Sequence, residues 1–285
     1  MMVGKVAFIT GATSGMGEAT AYALSAQGAT VVLHGRDRKK ARKLAEEIGE
    51  RTKNPAVYFL VADLGRLGDV RDLASDFRRE FHRLDVLVNN AGAVFGRREE
   101  SEDGFELTLQ VNYLSHFLLT HLLLDVLKDG APARVINVTS SIHERGRIDF
   151  EDLQMTKKYS GQKAYASSKL AMVLFTYELA RRLEGSDVTC NASNPGIAKT
   201  DLGYDAGLIA SLSRRVVDLF GKSAEKGADN TIFLATSDRL NGVTGKYFED
   251  CQECESSEMS YDEGSARKLW SASMRMVGLA EDDGG

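Results

Sequence analysis

Short apolar runs alternate with longer helical segments along this chain, and that alternation restricts the folds open to it. The apolar runs have the length of buried strands and lie at residues 6–9, 29–33, 57–61, 84–88, 134–138, 188–193 and 246–248. Helical spacing of apolar residues follows each run, at residues 15–28, 37–52, 66–82, 104–128, 161–184, 223–237 and 262–278.

This order of strands and helices predicts the fold class. Parallel strands are joined by right-handed helical crossovers when strands and helices alternate. Because the strands have no polar face, helices must cover both faces of the sheet. The sequence therefore predicts an α/β fold, a Rossmann-type doubly wound parallel sheet of about seven strands flanked by helices on both faces.

The chain has 285 residues and shows no linker, internal repeat or low-complexity segment, so we expect one domain over residues 1–285. Two stretches lack a clear period, residues 141–160 and 196–222. Long irregular segments inside a compact domain are often functional. Both stretches are therefore candidates for functional segments.

Composition and charge argue against several classes of protein. The chain carries 36 basic and 41 acidic residues, and the net charge of −5 favours neither nucleic acid nor an anionic membrane surface. Three cysteines cannot build a disulfide framework, which indicates a reducing compartment. Cys251 and Cys254 are not accompanied by a second cysteine pair or a histidine pair, so we expect no metal site.

The sequence shows no pattern typical of a targeting segment or a membrane span. The first residues run directly into the first predicted strand, without the features of a signal peptide. The most apolar stretch, residues 113–127, is interrupted by polar side chains and is shorter than the roughly 20 residues of a span. We therefore expect no membrane span and a cytoplasmic location.

A glycine-rich turn joins the first predicted strand to the first predicted helix. Gly11, Gly15 and Gly17 lie in this turn, with Thr13, Ser14 and Met16 between them. Glycines allow the backbone to approach a pyrophosphate, and a helix N-terminus supplies free N–H groups and positive partial charge. The turn therefore predicts a dinucleotide site, the alternative being an ordinary tight turn.

The end of the second predicted strand should meet the adenosine ribose of such a dinucleotide. A carboxylate there would bind both ribose hydroxyls and repel a 2′-phosphate, whereas a guanidinium suits the phosphate. Arg36 comes shortly after the strand and is followed by Asp37. We therefore favour NADP(H) over NAD(H), and the alternative is that Asp37 takes the ribose.

Tyr165 and Lys169 lie four residues apart on a predicted helix, so their side chains share one face. A tyrosine with its ordinary pKa of about 10 is a poor base at neutral pH. A nearby ammonium favours the phenolate and lowers the pKa of the tyrosine. The pair therefore predicts a group that gives or takes a proton.

Together, the glycine spacing, the run Asn89-Asn90-Ala91-Gly92 and the Tyr165–Lys169 pair resemble the short-chain dehydrogenase/reductase family. The resemblance covers nearly the whole chain. Further likeness is to the retinol dehydrogenase-like branch, carried by Arg36-Asp37, residues 150–153, 165–174, 245–248, 262–263, 268–270 and 277–279.

The resemblance implies a catalytic set of Ser140, Tyr165, Lys169 and Asn112. Ser140 matches the family serine after the fifth strand and would polarise a carbonyl, with Ser141 as the alternative if the register is off by one. Asn112 matches the family asparagine that kinks a helix and holds a water near the lysine.

It also implies the cofactor contacts. Asp63 is expected at the adenine amino group, although it could instead cap the following helix. Residues 196–222 would include a substrate lid. The expected cofactor-binding residues are Gly11, Thr13, Ser14, Gly15, Met16, Gly17, Arg36, Asp63, Leu64, Asn90, Ala91, Gly92, Tyr165, Lys169, Pro195, Gly196 and Thr200.

The activity implied is NADP(H)-dependent interconversion of a carbonyl and an alcohol on a lipophilic small molecule. A homo-oligomer is compatible with this expectation. Two alternatives stay open: an NADP-binding sensor without turnover, and a nucleotide-sugar epimerase or dehydratase. A sensor is expected to have lost the tyrosine or the lysine, and the spacing of Gly11, Gly15 and Gly17 speaks against the epimerase.

Overall fold

The structure is a computed structural model, and it describes residues 1–196 and 224–280. Eight strands of this part form a single sheet, in the order β3-β2-β1-β4-β5-β6-β7-β8. Their bounds are β1 Val6–Ile9, β2 Thr30–Gly35, β3 Val57–Val61, β4 Val86–Asn89, β5 Ala133–Val138, β6 Val188–Asn194, β7 Tyr247–Glu249 and β8 Gln252–Cys254.

Helices connect these strands as the alternation predicts. The α-helices are α1 Gly15–Ala26, α2 Arg38–Thr52, α3 Leu67–Glu80, α4 Ser115–Leu122, α5 Leu124–Asp129, α6 Gly161–Arg182, α7 Ala224–Thr236 and α8 Glu263–Met276, with a short helical turn at Leu107–Leu109 and a π-helix at Gln110–Leu114. Short 3-10 helices lie at Ser141–Arg145, Asp238–Leu240 and Glu258–Tyr261.

Strands β1 to β7 pair in parallel, which confirms the predicted fold class. The eighth strand pairs antiparallel with β7 after a tight turn at Asp250 and Cys251, whose φ angles are +50° and +61°. Strand β8 was not predicted, because its three residues are polar or small and exposed and therefore produce no apolar run.

Successive residues of a strand point to opposite faces, and the core is therefore split by the sheet. Phe8 of β1 packs on one face with side chains of α3, α4, α6 and α8. Ile9, the next residue, packs on the other face with side chains of α1, α2 and α7. Helices thus cover both faces, as the apolar strands require.

The predicted helix over residues 104–128 is divided in the structure. The interruption at Asn112 agrees with the kink that the resemblance implies, whereas the break at Leu123 was not predicted. A π-helix at Gln110–Leu114 widens the helical turn, and a second break at Leu123 separates α4 from α5. Apolar periodicity cannot detect either break, because the apolar side chains beside each break stay packed against the core, some buried and others partly buried. The π-helix places Asn112 at its centre.

A buried carboxylate joins the amino ends of β1 and β4. The side chain of Asp85 is 1% exposed and accepts a hydrogen bond from the main-chain N–H of Val6 at 2.8 Å. It also forms ion pairs with Lys5 at 2.8 Å and with Arg83 at 2.6 Å. Asp85 therefore satisfies a strand-end donor and two half-exposed cations at once.

We predict that Asp85→Ala lowers the free energy of unfolding by about 1–3 kcal/mol, because the Val6 N–H would lose its partner in a buried setting. Asp125→Ala is the control, since Asp125 pairs with Arg78 at 3.6 Å and is 74% exposed. Urea unfolding of both variants measures the difference. Equal unfolding midpoints for the two variants would contradict the role given to Asp85.

Candidate active site

The carboxyl ends of the parallel strands meet at one edge of the sheet, and the candidate residues follow these ends. The strand order reverses between β1 and β4, which are neighbours although the chain forms β2 and β3 between them. In doubly wound sheets such a switch point opens a crevice at the carboxyl edge. The glycine turn after β1 and the segment after β4 border this crevice.

The glycine turn is packed too closely for side chains at two positions. A Cβ atom on Gly11 would lie 2.8 Å from the Cα atom of Ala91, and Gly11 has a φ of +61°. A Cβ atom on Gly17 would lie 2.5 Å from both the Asn90 amide nitrogen and the Gly11 carbonyl oxygen. Both glycines are therefore required by the turn itself.

The turn opens toward the start of α1. Gly15 has a φ of +59°, and a Cβ atom there would meet nothing within 4 Å. Ser14 is the N-cap of α1 but makes no side-chain capping hydrogen bond. Thr13 lies against the end of β2, because a Cβ atom on Gly35 would be 2.4 Å from the methyl group of Thr13. Met16 is partly buried against the core.

The segment after β4 is fastened to the glycine turn by a polar interlock. The Asn90 amide donates to the Thr10 carbonyl at 2.8 Å. In return, the Thr10 hydroxyl accepts from the main-chain N–H groups of Asn90 and Ala91 at 2.9 and 3.0 Å. The structure therefore brings Asn90 and Ala91 against Gly11, as the predicted cofactor site requires.

At the end of β2, Arg36 is the first residue beyond the strand and is exposed. Asp37 is the N-cap of α2, and its carboxylate accepts hydrogen bonds from the N–H groups of Lys39 and Lys40 at 2.8 and 3.1 Å. The Asp37 carboxylate is thus already engaged in its own helix.

Two predicted cofactor-binding residues, Asp63 and Leu64, follow β3. The Asp63 carboxylate accepts from the Gly65 N–H at 2.9 Å, whereas the N-cap position of α3 belongs to Arg66. The alternative prediction of Asp63 as N-cap of that helix is therefore wrong. Leu64 is 3% exposed and packs in the core, so its side chain lies away from the crevice.

Tyr165 and Lys169 lie near the start of α6, and their side chains meet as predicted. The Lys169 ammonium is 5.7 Å from the centre of the Tyr165 ring and donates to the Val138 carbonyl at 2.9 Å. Lys169 is 3% exposed, and this burial lowers its pKa to about 8. Tyr165 is partly exposed at the same place.

Asn112 and Gly92 complete the surroundings of the lysine. A Cβ atom on Gly92 would lie 3.6 Å from the Lys169 ammonium and 3.5 Å from the Asn112 side-chain oxygen. The Asn112 amide accepts from the Ala93 N–H at 2.8 Å and donates to the Ala93 carbonyl and the Ser168 hydroxyl, both at 3.0 Å. These hydrogen bonds connect the π-helix to the segment after β4 and to α6.

Ser140 follows β5, two residues after the carbonyl that holds Lys169. It is the N-cap of the 3-10 helix Ser141–Arg145, and its hydroxyl accepts from the Ile142 N–H at 3.4 Å. Ser140 is partly buried, whereas Ser141 is exposed. The long contact at 3.4 Å holds the Ser140 hydroxyl only loosely.

The segment after β6 contains the last predicted cofactor residues. Gly196 follows Pro195 with a φ of +71°, and its N–H donates to the Asn194 side chain at 3.1 Å. The amide nitrogen of that side chain, Asn194 Nδ2, is buried and has no hydrogen-bond partner among the described residues. Thr200 and the predicted lid beyond residue 196 lie outside the described residues.

Three histidines of the site were missed by the sequence analysis, because no regular spacing links them into a motif. Burial lowers the pKa of His34 to about 4 and that of His116 to about 3, so both are neutral. His34 accepts from the Gly11 N–H at 3.2 Å, and His116 lies 3.0 Å from the Thr10 hydroxyl. His143 contacts Ser140.

The residues present fit a nicotinamide dinucleotide. The space left open at Gly15, beside the start of α1, lies at the carboxyl edge of the sheet, and so does the Asn194 Nδ2, which has no partner among the described residues. Over residues 1–196 and 224–280, no group of three or more His, Cys, Asp or Glu side chains could hold a metal ion. Within the same ranges, no helix combines the length and hydropathy of a membrane crossing.

Known protein sequences are similar to this chain over most of its length. The family model described as short chain dehydrogenase matches residues 5–207. Retinol dehydrogenase 13 from Mus musculus is 44% identical over 283 residues, which cover 97% of this chain and 85% of the relative. Retinol dehydrogenase 14 from Homo sapiens is 43% identical, with 98% and 88% covered.

Solved structures show the same fold. A crystal structure of an uncharacterized protein from Mycobacterium paratuberculosis superposes with a TM-score of 0.79 at 33% identity, covering 98% of this chain and 96% of that one. A short-chain dehydrogenase from Escherichia coli CFT073, complexed with NADPH, superposes with a TM-score of 0.67 at 26% identity, covering 87% and 96%.

We predict that Gly17→Ala weakens NADPH binding at least about tenfold, a loss of about 1.4 kcal/mol, because the new Cβ atom would collide with main-chain atoms of the turn. Gly68→Ala is the control, since a Cβ atom on Gly68 meets nothing within 4 Å. Calorimetric titration with NADPH measures both variants. Unchanged affinity in a folded Gly17→Ala protein would show that the turn does not hold the dinucleotide.

Proposed function

Because the chain belongs to the short-chain dehydrogenase family, we propose that it is an NADP(H)-dependent oxidoreductase that interconverts a carbonyl and an alcohol on a lipophilic small molecule. The observation that carries this proposal is the Tyr165–Lys169 pair. A buried ammonium lies 5.7 Å from the centre of a partly exposed tyrosine ring, at the edge of the sheet where the glycine turn also lies.

The proton chemistry is assigned to Tyr165. When bound, the nicotinamide cofactor supplies or accepts the hydride. Reduction of a carbonyl also needs a proton donor at the oxygen, and oxidation of an alcohol needs a base there. The Tyr165 hydroxyl fills both roles, as phenol in reduction and as phenolate in oxidation.

Lys169 is proposed to make the tyrosine usable near neutral pH. A positive charge close to a phenol stabilises the phenolate and lowers the pKa of the phenol. The Lys169 ammonium uses one of its N–H groups to bind the Val138 carbonyl, which leaves donors for a ribose hydroxyl or a water. Asn112 acts as a positioning residue, because its amide joins the π-helix to Ala93 and Ser168.

Ser140 is proposed to orient and polarise the substrate carbonyl. It extends from the end of β5, whose Val138 carbonyl binds Lys169, so serine and lysine are fixed to the same strand end. A hydroxyl donor aimed at a developing alkoxide lowers the energy of that charge. The partial burial of Ser140, against the exposure of Ser141, supports Ser140 as the residue in this role.

Three observations support NADP(H) as the cofactor. Arg36 is the first residue beyond β2 and is exposed, so its guanidinium is available to a 2′-phosphate. Asp37, the competing candidate for the ribose, uses its carboxylate to cap α2. The Escherichia coli relative of this fold was solved with NADPH.

The substrate class is proposed from the relatives. Similar named proteins include retinol dehydrogenases, and retinol is an apolar molecule with one primary alcohol. A lipophilic alcohol or the matching aldehyde or ketone is therefore the substrate class to test first. The cytoplasmic location stays a prediction.

The competing functions differ in measurable ways. An NADP sensor would bind NADPH without oxidising it in the presence of any carbonyl compound. Such a sensor is expected to lack the tyrosine or the lysine, and this chain has both Tyr165 and Lys169. A nucleotide-sugar epimerase would act on a nucleotide sugar with no net consumption of cofactor. NADPH absorbance with a panel of apolar aldehydes and ketones separates the reductase from the other two functions. Product analysis after incubation with a nucleotide sugar then separates the epimerase from the sensor.

We predict that Arg36→Asp inverts the cofactor preference from NADPH to NADH. A charge-assisted bond to the 2′-phosphate is worth about 1.5–3 kcal/mol, or roughly 10–100-fold in affinity. Arg42→Asp changes the net charge equally and is the control, because Arg42 pairs with Glu46 on the exposed side of α2. Titration with both cofactors gives the ratio. Equal affinities for NADPH and NADH in the unaltered protein would rule out the role of Arg36.

We predict that Tyr165→Phe lowers turnover by at least about 10²-fold, because it removes the proton donor and keeps the ring. NADPH affinity should change little, since the glycine turn and Arg36 are intact. Tyr58→Phe is the control, because Tyr58 is 49% exposed on the edge strand β3. Steady-state kinetics with a reactive aldehyde test it. Near-normal turnover of Tyr165→Phe would assign the proton transfer to another group.

A further inference from the structure

His143 is fully buried beside the proposed catalytic serine. Two of its groups donate to the Ser140 carbonyl: the main-chain N–H at 3.0 Å and the ring Nδ1 at 2.8 Å. The opposite ring nitrogen, Nε2, accepts from the main-chain N–H of Ser257 at 3.0 Å. The imidazole thus bridges two segments that are far apart in the sequence.

These contacts determine which nitrogen of the ring carries the proton. An N–H group can only donate, so the bond from Ser257 requires a lone pair on Nε2. In the neutral ring the proton then lies on Nδ1, where the Ser140 carbonyl accepts it. Burial lowers the pKa of His143, which keeps the ring in this neutral form.

Ser257 belongs to the segment of residues 255–261, which we call the C-terminal segment. It is fixed to α6 by Tyr177, whose hydroxyl lies 2.6 Å from the Ser256 hydroxyl and whose ring stacks on Tyr261 at 5.4 Å. The Ser257 N–H is therefore presented to His143 from a fixed support. The same helix carries Tyr165 and Lys169.

We propose that His143 is a positioning residue for Ser140. Ser257 holds the imidazole in the Nδ1–H tautomer, and the turn that begins at Ser140 therefore keeps one geometry against the substrate carbonyl. This inference rests on the proposed function. The need for such support follows from the Ser140 hydroxyl, whose own bond to the Ile142 N–H is long at 3.4 Å. A misplacement of about 1 Å at a reacting group can cost about 10²-fold in rate.

The first test compares His143→Leu with His143→Asn. Leucine removes the ring donor to the Ser140 carbonyl and leaves the main-chain donor in place, whereas the asparagine amide replaces a donor near the Nδ1 position. We expect kcat to fall about tenfold or more in His143→Leu, with KM for NADPH unchanged, and to be largely restored in His143→Asn. An equal loss of kcat in both variants would overturn the proposal.

A double-mutant cycle with Ser140→Ala asks whether His143 acts through the serine. If it does, His143→Leu should lower kcat strongly in the unaltered protein and hardly further in Ser140→Ala. The same fold-change in both backgrounds would show that His143 acts independently of Ser140, and the proposal would be wrong.

Ser257→Pro provides a test that leaves His143 in place, should the leucine variant fail to fold. Ser257 has a φ of −66°, which proline adopts, so this substitution removes the N–H bound to Nε2. Glu258→Pro is the control, because proline is tolerated at the first position of a helical turn. We expect kcat to fall in Ser257→Pro and to hold in Glu258→Pro, and equal values would overturn the proposal.

The tautomer itself can be measured without activity, by ¹⁵N NMR of the labelled protein. We expect the Nδ1–H form for His143 in the unaltered protein and a mixture of tautomers in Ser257→Pro. The Nε2–H form in the unaltered protein would refute the inference. If that spectrum is as expected but no carbonyl compound is turned over, the proposed function fails while the His143 geometry stands.

Discussion

The burial of the Lys169 ammonium is the constraint on which the arrangement of the site depends. Moving a charge out of water is costly unless hydrogen bonds replace the lost hydration. The Val138 carbonyl provides one such bond, and the position of Gly92 leaves room beside the ammonium that a side chain would fill. The sheet edge, the β4 segment and α6 must therefore meet at a single place. The lowered pKa of Lys169 is the measurable sign of that burial.

Close approach of main chains makes this meeting possible. Gly11 and Gly17 let β1 and α1 come within contact distance of Ala91 and Asn90, and the π-helix places the Asn112 amide within reach of Ala93. Each of these close contacts is local, but all of them involve the segment after β4. The position of that segment links the dinucleotide cradle to the proposed catalytic pair.

Much of this arrangement could be predicted from the sequence, because it follows from repeating patterns or from spacing within one helix. Apolar runs predict the strands, and the four-residue interval predicts that Tyr165 and Lys169 meet. The break at Asn112 could not be predicted from periodicity, since a π-helix changes the hydrogen bonds while the apolar side chains stay buried. The roles of His34 and His143 depend on contacts between distant segments, which no local pattern contains.

The antiparallel strand β8 also affects how the sheet meets other molecules. An open strand edge presents unpaired N–H and C=O groups that can recruit a strand from another chain. Here the edge beyond β7 is a strand of only three residues, and its Glu253 forms an ion pair with Lys246 at 2.8 Å across the hairpin. A partner strand would find little length to pair with and would have to approach charged side chains. The hairpin therefore protects this side of the sheet against edge-to-edge aggregation.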